Sequence, residues 1–289
     1  MRRRGFGTLL SGVIAWSLAA SAQPSRKVAA LWPFAQGSAE GDAVLAALRQ
    51  GLQDRGWSNI QIDSRWGGGN IERTRAYAAE IVKSSPDVIF AYFNTQLSSL
   101  FRETRTIPIV FVGASDPVGA GYIASLIRPG GNVTGFTLYE PTLASKWLEI
   151  LKQVTPGLER VALLVNPDTA IVGGTFYLQA FDAAAASLGV KAIIAKVYNP
   201  ADIEAAMASL GKQSGSALIV APDTFTEANG DLIASLAAQH RVPAIYAIGR
   251  LAARGGLMSY GPDAPDAVRR AAAYVDRILR GEKPAELPI

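Results

Sequence analysis

Short apolar runs alternate along this chain with longer stretches whose apolar residues recur every three or four positions. Residues 27–33 (KVAALWP), 87–93, 108–113, 160–166, 217–221 and 243–247 are runs of the first kind. Brief, apolar throughout and bounded by turn residues, they read as buried strands. Residues 60–65 alternate like a strand, and 190–197 form another. Residues 39–55 place Val44, Leu45, Leu48 and Leu52 on one helical face. Further helices are predicted over 71–84, 95–104, 141–154, 176–188, 201–211, 229–240 and 263–280, the last with Val268, Ala272, Val275 and Leu279 in line. Gly56, Gly189 and Gly281 follow three of these helices, the position a C-terminal glycine takes. Residues 66–70 (WGGGN) read as a turn, and 132–136 and 257–260 as short extended pieces.

Strands apolar on both faces that alternate with helices imply parallel sheets covered on both sides, joined by right-handed crossovers. Two such series, split near residue 140, predict an α/β protein of two doubly wound parallel-sheet lobes. A single β/α barrel is the competing arrangement, since the number of units nearly fits. The irregular stretch 113–131 halfway along speaks against it.

The first 22 residues read as an export signal. Arg2, Arg3 and Arg4 precede an apolar run over 9–20, and Ala20-Ser21-Ala22 supplies a small-residue cleavage site before Gln23. Arg3 and Arg4 with Phe6 partly match the twin-arginine signal, although Gly7 stands where that signal prefers leucine. An uncleaved membrane anchor is the alternative reading. The formal net charge of +4 falls to +1 once those three arginines are set aside. No basic run carries interleaved aromatics, so nucleic acid is not an expected partner. The absence of cysteine excludes disulfides, thiol nucleophiles and Cys-held zinc. His240 is the only histidine, which excludes a His-rich metal site. It stands at a helix end, where it suits the negative pole of the helix.

Enzyme motifs are missing as well. Residues 33–37 after the first strand lack G-x-G-x-x-G, and neither a P-loop nor a G-x-S-x-G elbow occurs. Asp116 and Asp223 could meet across a cleft as a carboxylate pair, the one arrangement here that would suit hydrolysis. A sensory module built on the same lobes is a third class that sequence does not separate from transport.

Longer strings are more specific. PIVFVGASDPVGAGYIASLIRPGGNVTGF (108–136), KWLEILKQVTP (146–156), RVALLVNP (160–167), GGLMSYGPD (255–263) and RRAAAYVDRILRGEKPAELP (269–288) resemble the periplasmic solute-binding proteins of ABC importers. They are most similar to the group that takes tryptophan or tyrosine. The resemblance implies a type I periplasmic-binding fold whose chain crosses between lobes about three times, with lobe one at 26–136 plus 257–281 and lobe two at 137–256. It also implies a monomer in the periplasm that binds a small molecule, has no cofactor or catalytic activity, and docks on a membrane permease. Members of the family run several tens of residues beyond Ile289, adding a strand and a helix to the second lobe, so the C-terminal end looks truncated.

Ligands of open parallel sheets sit beyond the carboxyl ends of the strands. That selects the loops 34–38, 94–96, 113–118, 166–169, 222–225 and 246–248. Gly37 and Ser38 open a helix, so Ser38 is either a plain N-cap or part of a carboxylate site. Asn94 and Thr95 carry the same two readings, and the family's ligand loop lies there. Asp116 either shapes a turn or pairs with a ligand ammonium. Asn166 and Asp168 form a turn or reach the ligand. Asp223 caps a helix or faces the cleft, and Phe225 is core or stacks on a flat ligand. Tyr246 is strand-end core or pocket wall.

Overall fold

A computed structural model describes residues 26–253 and 255–289, with the side chains of 250 and 253 left aside. The export-signal residues Arg3, Arg4, Phe6, Ala20 and Ala22 lie outside the described residues. The first sheet holds β1 (Lys27–Trp32), β2 (Gln61–Trp66), β3 (Val88–Tyr92), β4 (Ile109–Val112) and β5 (Val133–Phe136), in the order β2-β1-β3-β4-β5. Its helices are α1 (Ala39–Gln53), α2 (Ile71–Lys83) and α3 (Asn94–Glu103). Every strand pairing is parallel. The strand period of two is visible in the packing. Ala29 and Leu31 face Ala78, Ile81, Leu97 and Leu100 of α2 and α3, while Val28, Ala30 and Trp32 face Val44 and Leu48 of α1.

The second lobe runs through α4 (Leu143–Val154), β6 (Arg160–Val165), α5 (Leu178–Ser187), β7 (Lys191–Lys196), α6 (Pro200–Gly211), β8 (Ser216–Val220), α7 (Thr224–Ala228), α8 (Gly230–Gln239), β9 (Ala244–Tyr246), α9 (Gly249–Ala253) and β10 (Met258–Ser259). Its sheet order is β10-β9-β8-β6-β7, again all parallel. The chain then returns as α10 (Ala264–Leu279), which lies on α1 and on β3, β4 and β5 of the first sheet. Two separate sheets rule out the barrel.

Three expectations need correction. Residues 257–259 were assigned to lobe one, but β10 pairs with β9 (Met258 beside Ile245, Ser259 beside Tyr246), so they belong to lobe two. The described residues cross between lobes twice, at 137–142 and 260–263, rather than three times. α8 and the short α7 stand where helices are expected over 229–240 and from Asp223, but α9 is a further helix that the sequence pattern does not predict. Residues 284–289 run back along the first lobe. Thr134 Oγ1 donates to the Leu287 carbonyl at 2.7 Å, and the Ile289 N–H to that of Leu126 at 2.8 Å.

The second crossing is tied into the core. Trp147 on α4 is fully buried, and its indole N–H donates to the Tyr260 carbonyl at 2.7 Å, fastening the second crossing to the second lobe. The return helix is fitted closely. A Cβ at Gly51 of α1 would stand 2.6 Å from Ala272 Cβ and from the Arg269 carbonyl oxygen of α10. Backbone cannot yield there as a flexible side chain can. Gly51→Val should therefore cost about 1–3 kcal/mol by overpacking. Urea unfolding should show it as a lower midpoint at unchanged slope; an unmoved midpoint contradicts this packing.

Candidate functional site

The carboxyl ends of the strands in the two sheets face each other, and their loops meet. Thr95 Oγ1 in the first turn of α3 points to the Thr169 carbonyl of the β6–α5 loop at 3.5 Å. Thr224 Oγ1 at the start of α7 donates to Gln96 Oε1 at 3.4 Å. A Cβ built on Gly69, which has φ +73°, would come within 2.8 Å of Ala228 Cβ on the opposite lobe. The lobes are thus closed on one another through long, weak polar contacts and one close backbone approach.

Backbone strain gathers at the same place. Among the described residues, five non-glycine residues have positive φ: Ser85, Phe93, Asp116, Val172 and Arg241. Ser85 and Arg241 follow α2 and α8, where a left-handed residue is ordinary. Phe93 (φ 70°), Asp116 (φ 48°) and Val172 (φ 47°) are in the loops that follow β3, β4 and β6 at the cleft. Strained backbone of this kind clusters at ligand sites.

Among the buried polar atoms here, Gln96 Nε2 has no hydrogen-bond partner, and Ser115 Oγ and Tyr177 OH have none but each other, across the cleft. Most buried polar atoms in folded proteins are paired, because an unmade bond costs about 1–3 kcal/mol. The Tyr177 ring stacks on Trp147 at 5.3 Å between centroids. Burial holds its hydroxyl well above the usual tyrosine range, Tyr139 and Asp223 push it the same way, and Ser115 across the cleft opposes the shift.

Asp223 is the charged centre of the lobe-two half. Its Oδ1 accepts from the Phe225 and Thr226 N–H groups at 2.7 and 2.8 Å and from Thr169 Oγ1 at 3.1 Å. Its Oδ2 accepts from the Asn166 N–H at 3.3 Å. With Thr226 it forms a capping box on α7. Burial pushes its pKa up from 3.8 to about 6, only partly offset by these four donors.

The structure separates the candidate residues. Thr95, Asn166 and Asp223 are brought together at the interface of the lobes, and Phe225 is buried beside them on α7. Asn166 spends its side-chain oxygen on the Asp168 and Thr169 N–H groups. Asn94 is half-buried at the start of α3. Ser38 Oγ caps α1 by accepting from Gly41 N at 3.2 Å, and Gly37 is exposed. Asp116 Oδ1 accepts from Gly119 N at 2.9 Å within its own turn, and Asp168 is exposed. Asp116 and Asp223 therefore serve different local structures instead of forming a carboxylate pair. Tyr246 is fully buried beside Ala234, Ala237 and Ala238 of α8. Gln96, Ser115, Thr169, Tyr177 and Thr224 were not singled out as ligand groups. Four of them lie in the loops that strand ends select. Tyr177 stands twelve residues past β6 and carries no such signal.

This arrangement can be matched to known proteins. A family model described as ABC transporter substrate binding protein matches residues 36–289. The chain belongs to that family. It binds a solute for an ABC transport system, and its two parallel-sheet lobes are those of the periplasmic binding proteins. It is 25% identical over 242 residues to a tyrosine-binding protein of Clostridioides difficile, covering 82% of this chain and 68% of that protein. It superposes with TM-score 0.82 on an ABC domain from Streptococcus pneumonia solved with L-Trp, at 21% identity over 92% of this chain and 88% of that one. Its TM-score is 0.61 with the ligand-free, open structure of a substrate-binding protein with adhesive properties from Clostridium difficile, at 23% identity over 91% and 88%.

The raised pKa of Asp223 makes folding pH-dependent. The folded chain holds this proton more tightly than the unfolded chain. The associated stability is complete below 3.8 and is lost as pH rises through about 6. Taking pH from 5 to 7.5 should cost the wild type about 1 kcal/mol more than Asp223→Asn. Urea titrations of both proteins at the two pH values measure this; an equal loss in both contradicts the shift.

Proposed function

We propose that the solute is an aromatic amino acid or a close aromatic carboxylate, held between the lobes by Gln96, Ser115 and Tyr177. The observation that carries this reading is the set of three buried polar atoms meeting where the lobes close, with no partner but the contact of Ser115 with Tyr177. Each can donate a hydrogen bond. Together they suit an acceptor group such as a carboxylate, which several donors bind at once. The aromatic residues that ring the position support a flat ligand: Phe34, Phe93, Tyr139 and Tyr177 are all buried. Phe93 and Tyr139 stand 6.4 Å apart by ring centroid. The relatives named for tyrosine and solved with L-Trp support the same class. The better superposition on the L-Trp complex than on the open protein supports a ligand-binding form that is closed.

Export and partner follow from the same reading. The arginine-led leader carries the chain out through the twin-arginine or general pathway and is removed before Gln23. The mature protein works as a monomer in the periplasm and delivers its solute to a membrane permease. Among the described residues no helix is long and apolar enough to cross a membrane.

Calorimetry of the purified chain with L-tyrosine and L-tryptophan tests the ligand. Tyr177→Phe should weaken binding about tenfold, a loss of about 1.4 kcal/mol. Unchanged affinity would remove Tyr177 from the site.

A further inference from the structure

Asp223 is enclosed at the meeting of the lobes without a cation. It is 4% exposed, and among the described residues no Lys, Arg or His pairs with it. All four of its hydrogen-bond donors belong to its own lobe: Phe225, Thr226, Thr169 and Asn166. The first lobe gives it no bond, but side chains of that lobe meet the residues around it. Thr95 reaches Thr169, one of those donors, and Gln96 reaches Thr224, the next residue in the chain. When the lobes separate, the four bonds stay and water gains access. When they close, the bonds stay and water is lost. Closing therefore desolvates a carboxylate and gives it nothing in return.

We propose that Asp223 is a gating residue, whose carboxylate opposes closure of the lobes until a proton or a donor on the bound solute compensates it, so that closure is coupled to proton uptake. The proposal rests on the cleft being the solute site. The position of compensation is Oδ2, which has one long contact at 3.3 Å where Oδ1 has three donors. Asp223 has its pKa near 6 where it is buried, and admitting water on opening returns a carboxylate toward its ordinary range. Lowering the pH then favours the closed form, because the form with the higher pKa takes up the proton. The titratable groups packed around it are Tyr177, Tyr139, Glu227 and Asp168. Tyr177 is pushed well above its usual value and Tyr139 is a phenol acting through it. Glu227 lies one turn along α7, and Asp168 is on the solvent side of the β6–α5 loop.

The chain has no cysteine, so Glu72→Cys on α2 and Ser235→Cys on α8 can carry a fluorescence energy-transfer pair across the lobes. In the unliganded protein the closed-to-open ratio should rise as pH falls from 7.5 to 5, by up to about tenfold for each unit of pKa difference between the two forms. Asp223→Asn in the same background should be more closed at pH 7.5 and indifferent to pH. L-tyrosine at pH 7.5 should shorten the distance in the wild type. A wild-type distance that ignores pH overturns the proposal, and this arm stands even if the variant does not fold. A pH response that survives Asp223→Asn overturns it too. A response to pH without a response to L-tyrosine sustains the gate and removes the aromatic amino acid as ligand.

Discussion

Closing two protein surfaces over polar side chains strips those side chains of water, and that cost governs this molecule. Gln96, Ser115, Tyr177 and Asp223 are all buried where the lobes meet. Two of the protein's own hydrogen bonds across that boundary are long, at 3.4 and 3.5 Å, and contribute little. For Asp223 alone, a shift from 3.8 to about 6 corresponds to about 3 kcal/mol at neutral pH. A closed form of this kind is stable only when something between the lobes replaces the lost hydration. Binding and closure are then one equilibrium, biased by whatever the solute contributes in the closed state and not in the open one.

The rest of the architecture serves to keep that equilibrium two-sided. Each lobe has its own parallel sheet and its own helices, so neither depends on closure to remain folded. Two crossings join them, and the Trp147 bond to the Tyr260 carbonyl holds one crossing in register with the second lobe. Trp147 also stacks on Tyr177, which links the crossing to the cleft wall. The positive φ angles of Phe93, Asp116 and Val172 place strain in the loops that have to re-aim their neighbours when the lobes meet.

The sheet core was legible because parallel strands buried on both faces leave a continuous apolar run, as at 109–112 and 216–220. The long helices were legible from their spacing. β10 was assigned to the wrong lobe because two residues carry no register of their own; only its ladder to β9 decides its sheet. The helix that Asp223 opens was legible from its cap, but its extent was not, because the five residues of α7, TFTEA, have no apolar period and are held by the Asp223 capping box instead. The rule that ligands sit at strand ends found the right loops, but it did not tell which side chains in them serve the local turn. Asp116 and Ser38 are spent on turn and cap. Tyr177 could not be found from a strand end, because the irregular 166–177 segment carries it back to the cleft.

A crystal structure of the exported protein grown with L-tyrosine tests the central claim most directly. The account requires the closed lobes to hold the amino acid within hydrogen-bond distance of Gln96 Nε2, Ser115 Oγ and Tyr177 OH. A ligand seated elsewhere, out of reach of those three atoms, would contradict it.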